Sequence, residues 1–220
     1  MNILFLSQLL PYPPDTGAKV RSYFLLRYLA QNHCITLLAF TRPDDPPKAV
    51  EHLRSFCSEV YTIPVHRSRA KDLKSLMYSV LSGKSFVIAR DFIPELSQEL
   101  DHLIKSETFE VVHADQLWMA QYAIQAKSRK PNVKLILDEH NACFQIFQRL
   151  AVGEKNPLKK LFYEREWRAL RQYETQACTQ FDQVVTVTRE DQIVLKDLIS
   201  RLTLKKKASL LYNDPDLRGC

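Results

Sequence analysis

Residues 109–138 read Phe109-Glu-Val-Val-His113-Ala-Asp115-Gln116-Leu-Trp118-Met-Ala-Gln-Tyr-Ala-Ile-Gln-Ala-Lys-Ser128-Arg-Lys-Pro-Asn-Val133-Lys-Leu-Ile-Leu-Asp138. Phe109–Ala114 is a short apolar run rich in valine. Gln116–Ser128 then places apolar residues at helical spacing, and Val133–Asp138 is again almost wholly apolar. Strand, crossover helix, strand is the repeating unit of a parallel sheet. The missing polar alternation fits strands covered on both faces by helices.

The same rhythm runs outward in both directions. Ile3–Ser7 reads as a first strand, followed by a proline-rich loop, Gln8–Thr16. Helical spacing of Val20, Phe24, Leu25, Tyr28 and Leu29 carries the chain to Asn32–His33. Strands are expected at Ile35–Phe40 and Val60–Val65, with a helix over Lys48–Phe56 between them. The stretch Ser68–Ser106 reads as two helices around a break at Ser82-Gly83-Lys84-Ser85. Beyond Asp138, helices are expected at Asn141–Leu150, Pro157–Gln180 and Arg189–Arg201, with strands at Asp182–Val187 and Ala208–Tyr212. The predicted fold is α/β: a single Rossmann-like doubly wound domain over residues 1–213, its mostly parallel sheet having about seven strands. Residues 214–220 are expected to start a linker.

Composition narrows the chemistry. Of 220 residues, 45% are hydrophobic and 25% charged, as in an ordinary globular protein. The net charge of +6 is mild, so phosphates or an anionic membrane surface are plausible partners, whereas nucleic acid would need a denser basic stripe. Five cysteines are present. None forms a CxxC pair, so neither a close-pair zinc site nor a disulfide framework is expected, and the thiols fit a reducing cytosol. The opening apolar run is interrupted after Leu10 by Pro-Tyr-Pro-Pro-Asp and does not read as a signal peptide. No run approaches the ~20 apolar residues of a membrane span.

In doubly wound sheets, ligands bind beyond the carboxyl ends of the strands. That rule selects the polar residues directly following strands. Asp15, Thr16 and Gly17 lie where a helix N-terminus would expose amides to an anion, with Lys19 and Arg21 close by; the plainer reading is a capped helix. The fingerprint G-x-G-x-x-G is absent, which disfavours a nicotinamide-dependent oxidoreductase. His113 and Asp115 are two apart on an extended strand and point the same way, a pairing that binds hydroxyls or moves protons. The alternative is a buried histidine beside a helix-capping aspartate. Gln116 follows directly.

Glu139, His140 and Asn141 repeat that pattern one strand later. His113, Asp115 and His140 are conceivable metal ligands, but no metal site is expected. Ser82-Gly83-Lys84-Ser85 lacks the earlier glycine and preceding strand of a phosphate loop, so Gly83 reads as a helix cap. The basic, aromatic helix near 155–171 reads either as a surface helix laced with pairs such as Glu164–Arg168 or as a face for an anionic bilayer.

Four stretches, ILFLSQLLPYPPDTGAKVRSYFLLRYLA from Ile3, FEVVHADQLWMAQY from Phe109, LILDEHNACFQIFQRLA from Leu135 and FDQVVTVTREDQ from Phe181, resemble in order the N-terminal domain of family 4 glycosyltransferases. These are retaining enzymes of the GT-B fold, and the likeness is to bacterial polysaccharide-associated sugar transferases. The resemblance implies the acceptor-side half of an enzyme that transfers sugar from a nucleoside-diphosphate sugar to a hydroxyl of a glycan or lipid-linked acceptor. It implies no bound cofactor, the nucleotide-sugar being a co-substrate, and a cytoplasmic protein, peripheral at the inner membrane face. His113 and Asp115 would be catalytic. Asp15, Thr16, Gly17, Lys19, Arg21, Gln116, Glu139, His140 and Asn141 would bind substrate.

The sequence departs from the family at Ala18, where relatives often carry a second glycine. Asn213-Asp-Pro-Asp also stands where the family usually writes a proline-asparagine-glycine turn into a donor-binding domain. That domain is expected to be missing, which would leave the chain inactive alone. The competing reading is a non-catalytic glycan- or membrane-binding module.

Overall fold

Ile3, Leu4, Phe5 and Leu6 are all at most 3% exposed, so β1 (Asn2–Ser7) has no side that meets water. Its neighbours share that character: β2 (Cys34–Thr41) is buried from Ile35 to Phe40, and β4 (Val111–Asp115) is buried throughout. Such strands are stable only between two layers of helices, which is why their sequences lack alternation. The computed structural model describes residues 1–66, 68–202 and 209–212. The expected linker start at 214–220 lies outside the described residues.

The chain divides into two compact units. The first comprises Met1–His66 and Ile93–Asp138. Its strands run in the order β3-β2-β1-β4-β5, where β3 is Glu59–Pro64 and β5 is Lys134–Glu139. Every pair is parallel, with Ile3 opposite Ile35 and Val111, and Thr36 opposite Glu59. Between β1 and β4 the strand order reverses. That is the α/β, Rossmann-like architecture expected from the sequence.

On one face Ile3, Phe5, Ile35, Leu37 and Val60 pack with Tyr23 and Leu26 of α1 (Gly17–Leu29) and Leu53 of α2 (Ala49–Arg54). Burying a leucine or phenylalanine side chain stabilises by roughly 1.5–3 kcal/mol, so this cluster dominates the unit's stability.

The second unit comprises 67–92 and Glu139–Cys220. It contains α3 (Arg69–Ser82), α4 (Phe86–Arg90), α7 (Cys143–Gly153), α8 (Pro157–Cys178) and α9 (Arg189–Leu202). Its strands β6 (Gln183–Thr186) and β7 (Ser209–Tyr212) pair in parallel. Gly83 caps α3 with φ +73°, the left-handed conformation in which glycine has no Cβ penalty.

Two boundaries differ from the expectation. The segment after Gly83 holds two helices instead of one: α4 ends at Arg90, and α5 (Pro94–Ser106) starts on a proline. Pro94 has no N–H to donate and pushes Ile93 into extended backbone, so the chain must restart its helix there. The helix expected from Gln116 begins as a 3₁₀ turn, Leu117–Met119, and becomes α6 only at Ala120–Arg129. Gln116 itself stands at φ +75°, ψ 158°, outside helical space.

Candidate functional site

In the first unit, the register of the parallel strands sets polar residues side by side at their carboxyl ends. Ser7 ends β1 opposite Asp115 of β4, and Asp115 stands opposite Asp138 of β5. These three residues border the point where the strand order reverses, the place at which open α/β sheets bind ligands.

Asp115 is fully buried, and its Oδ2 lies 2.8 Å from Ser7 Oγ and 2.7 Å from Ser22 Oγ of α1. Each hydroxyl has one proton and a second acceptor in reach, the carbonyl of Leu9 for Ser7 and that of Ala18 for Ser22. A carboxylate is the stronger acceptor because the bond is charge-assisted. Asp115 therefore ties the end of β1 and the second turn of α1 to β4.

Next to Ser22, Arg21 grips Asp138 in a two-point pair: Nη2 donates to Oδ1 at 2.7 Å and Nε to Oδ2 at 3.0 Å. Asp138 is 1% and Arg21 19% exposed at the side chain. Lys19 is likewise engaged, its Nζ lying 3.6 Å from Asp15 and 3.7 Å from Asp45. Both cations at the start of α1 are thus offset by carboxylates. Thr16 occupies the N-cap position but makes no side-chain capping bond, and Asp15, Thr16 and Gly17 are exposed.

His113 lies two residues inside β4, 5% exposed, with its ring stacked on Phe5 at 4.5 Å. Gln116 follows the strand, half-buried, and donates its backbone N–H to the Asp138 carbonyl at 3.0 Å. A non-glycine residue at positive φ with extended ψ costs of order 1–3 kcal/mol, and such residues cluster at ligand sites. The loop after β1 is further fixed by Tyr12, stacked on His52 at 3.8 Å, while His52 Nε2 bonds the Tyr23 hydroxyl at 2.9 Å.

Glu139, His140 and Asn141 belong to the second unit. Asn141 is exposed, His140 half-buried and Glu139 fully buried. One oxygen of Glu139, the Cys143 thiol and one oxygen of Glu174 all lie within 4.8 Å of one another. Two carboxylates and a thiol form a mixed donor set of the kind metals use, but both oxygens of Glu174 are already committed. The oxygens of Glu174 accept the Cys143 and Phe144 amides at 2.8 and 2.9 Å, capping the exposed-amide end of α7. Burial pushes the Glu174 carboxyl up to about 8, against the opposing pull of those two amides and with the Asp191 charge adding to the rise. Burial, joined by the charges of Glu139 and Glu174, also raises the Cys143 and Cys178 thiols well above their ordinary range. Burial thus favours the protonated forms of Glu174 and the two thiols, and Glu174 caps α7.

Glu166, eight residues before Glu174 on α8, does the same for α4. Its carboxylate accepts from Ser85 Oγ at 2.6 Å and from the Phe86 and Val87 amides at 3.0 and 3.1 Å. Arg165 bonds Ser79 Oγ at 2.9 Å and the Ser79 carbonyl. Asp191 joins them by accepting the Ala142 amide at 2.9 Å and the Thr188 hydroxyl at 2.6 Å.

The first unit therefore brings Asp115, Gln116 and Arg21 into one neighbourhood with Asp138 and with two residues that no sequence pattern marks, Ser7 and Ser22. Asp138 carried a usable signal, a carboxylate closing an apolar strand. The serines did not, since each acquires its partner only through tertiary packing. Glu166 and Glu174 were detectable as carboxylates on the buried stripe of α8 shared with Leu170 and Ala177.

No protein-family model and no curated protein matches the chain. Solved structures do. UGT71G1 of Medicago truncatula complexed with UDP-glucose superposes with a TM-score of 0.54 at 12% identity, over 97% of this chain and 51% of that one. The N-terminal domain of Candida albicans trehalose-6-phosphate phosphatase gives 0.57 at 13%, over 96% and 47%. UGT89C1 of Arabidopsis thaliana complexed with UDP gives 0.51 at 11%, over 98% and 52%. The chain spans about half the length of the structures it matches. At this identity the likeness establishes the fold alone, which is GT-B-like.

Proposed function

We propose that this chain is the acceptor-side half of a retaining family 4 glycosyltransferase, which moves a sugar from a nucleoside diphosphate to a hydroxyl of a glycan or lipid-linked acceptor in polysaccharide assembly. One observation carries this reading. A chain matching about half of structures complexed with UDP-glucose or UDP gathers Ser7, Asp115, Gln116 and Asp138 at the strand ends where open α/β sheets bind ligands.

The charge balance favours the acceptor side. Lys19 and Arg21 are paired with Asp15, Asp45 and Asp138, so the region presents neutralised ion pairs and hydroxyls. Such a surface suits the hydroxyls of a sugar better than a diphosphate, which calls for unpaired cations. Gly17, Thr16 and Asp15 would contact the acceptor from the exposed start of α1, and Gln116 from the end of β4. Asp115, buried behind them, acts as a positioning residue that fixes α1 through Ser22. Two residues earlier on β4, His113 stacks on Phe5. Transfer would rest on orienting the acceptor hydroxyl and on charge stabilisation at the leaving phosphate, supplied by the donor-binding half. The protein would work at the cytoplasmic membrane face, with 155–171 in contact with lipid.

Isothermal titration tests the division of labour. This chain alone is expected to bind UDP-glucose and other nucleoside-diphosphate sugars weakly, with clear affinity once a donor-binding half is joined to it. Tight donor binding by the chain alone, or tight NAD binding, would contradict the proposal.

A further inference from the structure

Four aliphatic side chains stand out in water on α3. Leu73, Met77, Val80 and Leu81 are 59, 58, 60 and 85% exposed. At about 100° per residue they fall within a single arc of about 100° on the helix. Ser79, fully buried and held by Arg165 Nη1 at 2.9 Å, lies on the opposite side and fixes which face of α3 turns outward. Arg69, Lys74 and Lys84 are exposed along or beside the apolar arc, and Asp72 is the acidic residue of the first turn.

Among the described residues no helix is long and apolar enough to cross a membrane. A helix with an aliphatic outer stripe bordered by cations is built instead to lie in the plane of a bilayer interface, its apolar face among the upper acyl carbons and its cations at the phosphates. The start of α8 in the same unit repeats this chemistry: Leu158 and Leu161 are 78 and 68% exposed, beside exposed Lys155, Lys159 and Lys160.

We propose that the outer face of α3 seats this protein on an anionic lipid bilayer, with Leu73, Met77, Val80 and Leu81 entering the headgroup boundary and Arg69, Lys74 and Lys84 meeting lipid phosphates. Charge selects lipid over a second copy of the chain. In a two-fold dimer the same face meets itself, setting cations against cations. The inference deepens the membrane part of the proposed function, yet it can fail alone because vesicle binding is read without donor or acceptor.

The test is co-sedimentation with vesicles of equal parts phosphatidylglycerol and phosphatidylcholine, compared with phosphatidylcholine alone. Each cation near an anionic surface contributes about fivefold to partitioning. The protein is expected to bind the anionic vesicles at least about tenfold more tightly, and less so at high salt. The variant L73Q/M77Q/L81Q and the variant K74E/K84E should each lose at least about tenfold while keeping the far-ultraviolet circular dichroism of the parent. Failure to bind anionic vesicles, equal binding to neutral ones, or binding unchanged in both variants would overturn the proposal. So would a concentration-dependent dimer that L73Q/M77Q/L81Q dissolves, since a second copy would then own this face.

Discussion

Arg21 and Asp138 meet in a two-point ion pair that joins the first helix to the end of the fifth strand, with Nη2 2.7 Å from Oδ1. The carboxylate is almost wholly buried, so its partner decides whether a dry negative charge is tolerated. Removing the guanidinium in Arg21→Met should cost about 3 kcal/mol, read as a lower urea midpoint. Arg21→Lys should recover only part of this, because an ammonium cannot bond both oxygens in a fixed fork. The double variant Arg21→Met/Asp138→Asn should be more stable than Arg21→Met alone. If it is not, the pair does not act as described.

Gln116 holds a backbone conformation that glycine adopts without penalty. Gln116→Gly should therefore leave the protein as stable or raise its stability by about 1 kcal/mol, since relief of strain exceeds the added chain entropy. Acceptor binding should weaken in the same variant, because the side chain at the strand end is lost. Thermal unfolding and acceptor titration read the two effects separately, and a clear drop in melting temperature would contradict the strain argument.

At Gly83 an added Cβ would meet nothing within 4 Å, yet φ stands at +73°. Gly83→Ala should cost about 1 kcal/mol through backbone strain alone, and Gly83→Asn less, since asparagine tolerates the left-handed region. Equal stability of Gly83→Ala and the parent would remove the cap assignment.

Glu174 is pushed up to about 8 in the folded chain, chiefly by burial, from an ordinary value near 4.5. Between those values the folded state holds a proton that the unfolded state has released. Stability from this group is thus greatest below pH 4.5, falls as pH rises toward 8, and levels off beyond it. Glu174→Gln, which cannot ionise, should flatten that decline in melting temperature. It should also cost about 1–3 kcal/mol at acidic pH, because its amide cannot accept the second of the two backbone N–H groups. A parental slope that persists in the variant would assign the decline to another group.

Much of the sheet could be read directly. Where both faces are covered, apolar runs such as Ile3–Leu6 announce strands without ambiguity, and the helices between them dictate parallel pairing. Local rules also placed Gly83, and the Glu164–Arg168 pair forms at 2.7 Å. Pro94 was just as legible and was passed over. The wiring of the strand ends was not legible in the same way. Ser22 finds Asp115 across 93 residues and Arg21 finds Asp138 across 117, and no local pattern encodes such distances. Arg21 reads as a free phosphate donor because Asp138 is remote in sequence, and of the two partners of Lys19 only Asp15 is local. Glu166 and Glu174 share the helical stripe of Leu170 and Ala177, but which amides they meet, those of α4 and α7, is set only by packing.

The most direct measurement is amide-resolved nuclear magnetic resonance of the labelled chain, titrated in turn with a panel of oligosaccharides and with UDP-glucose. If the strand ends of the first unit form an acceptor wall, a saccharide should shift Gly17, Ser22 and Gln116 together at concentrations where UDP-glucose leaves them in place. Saccharide shifts confined to residues away from Ser7, Asp115 and Gln116, or a nucleotide-sugar saturating those amides first, would contradict the account.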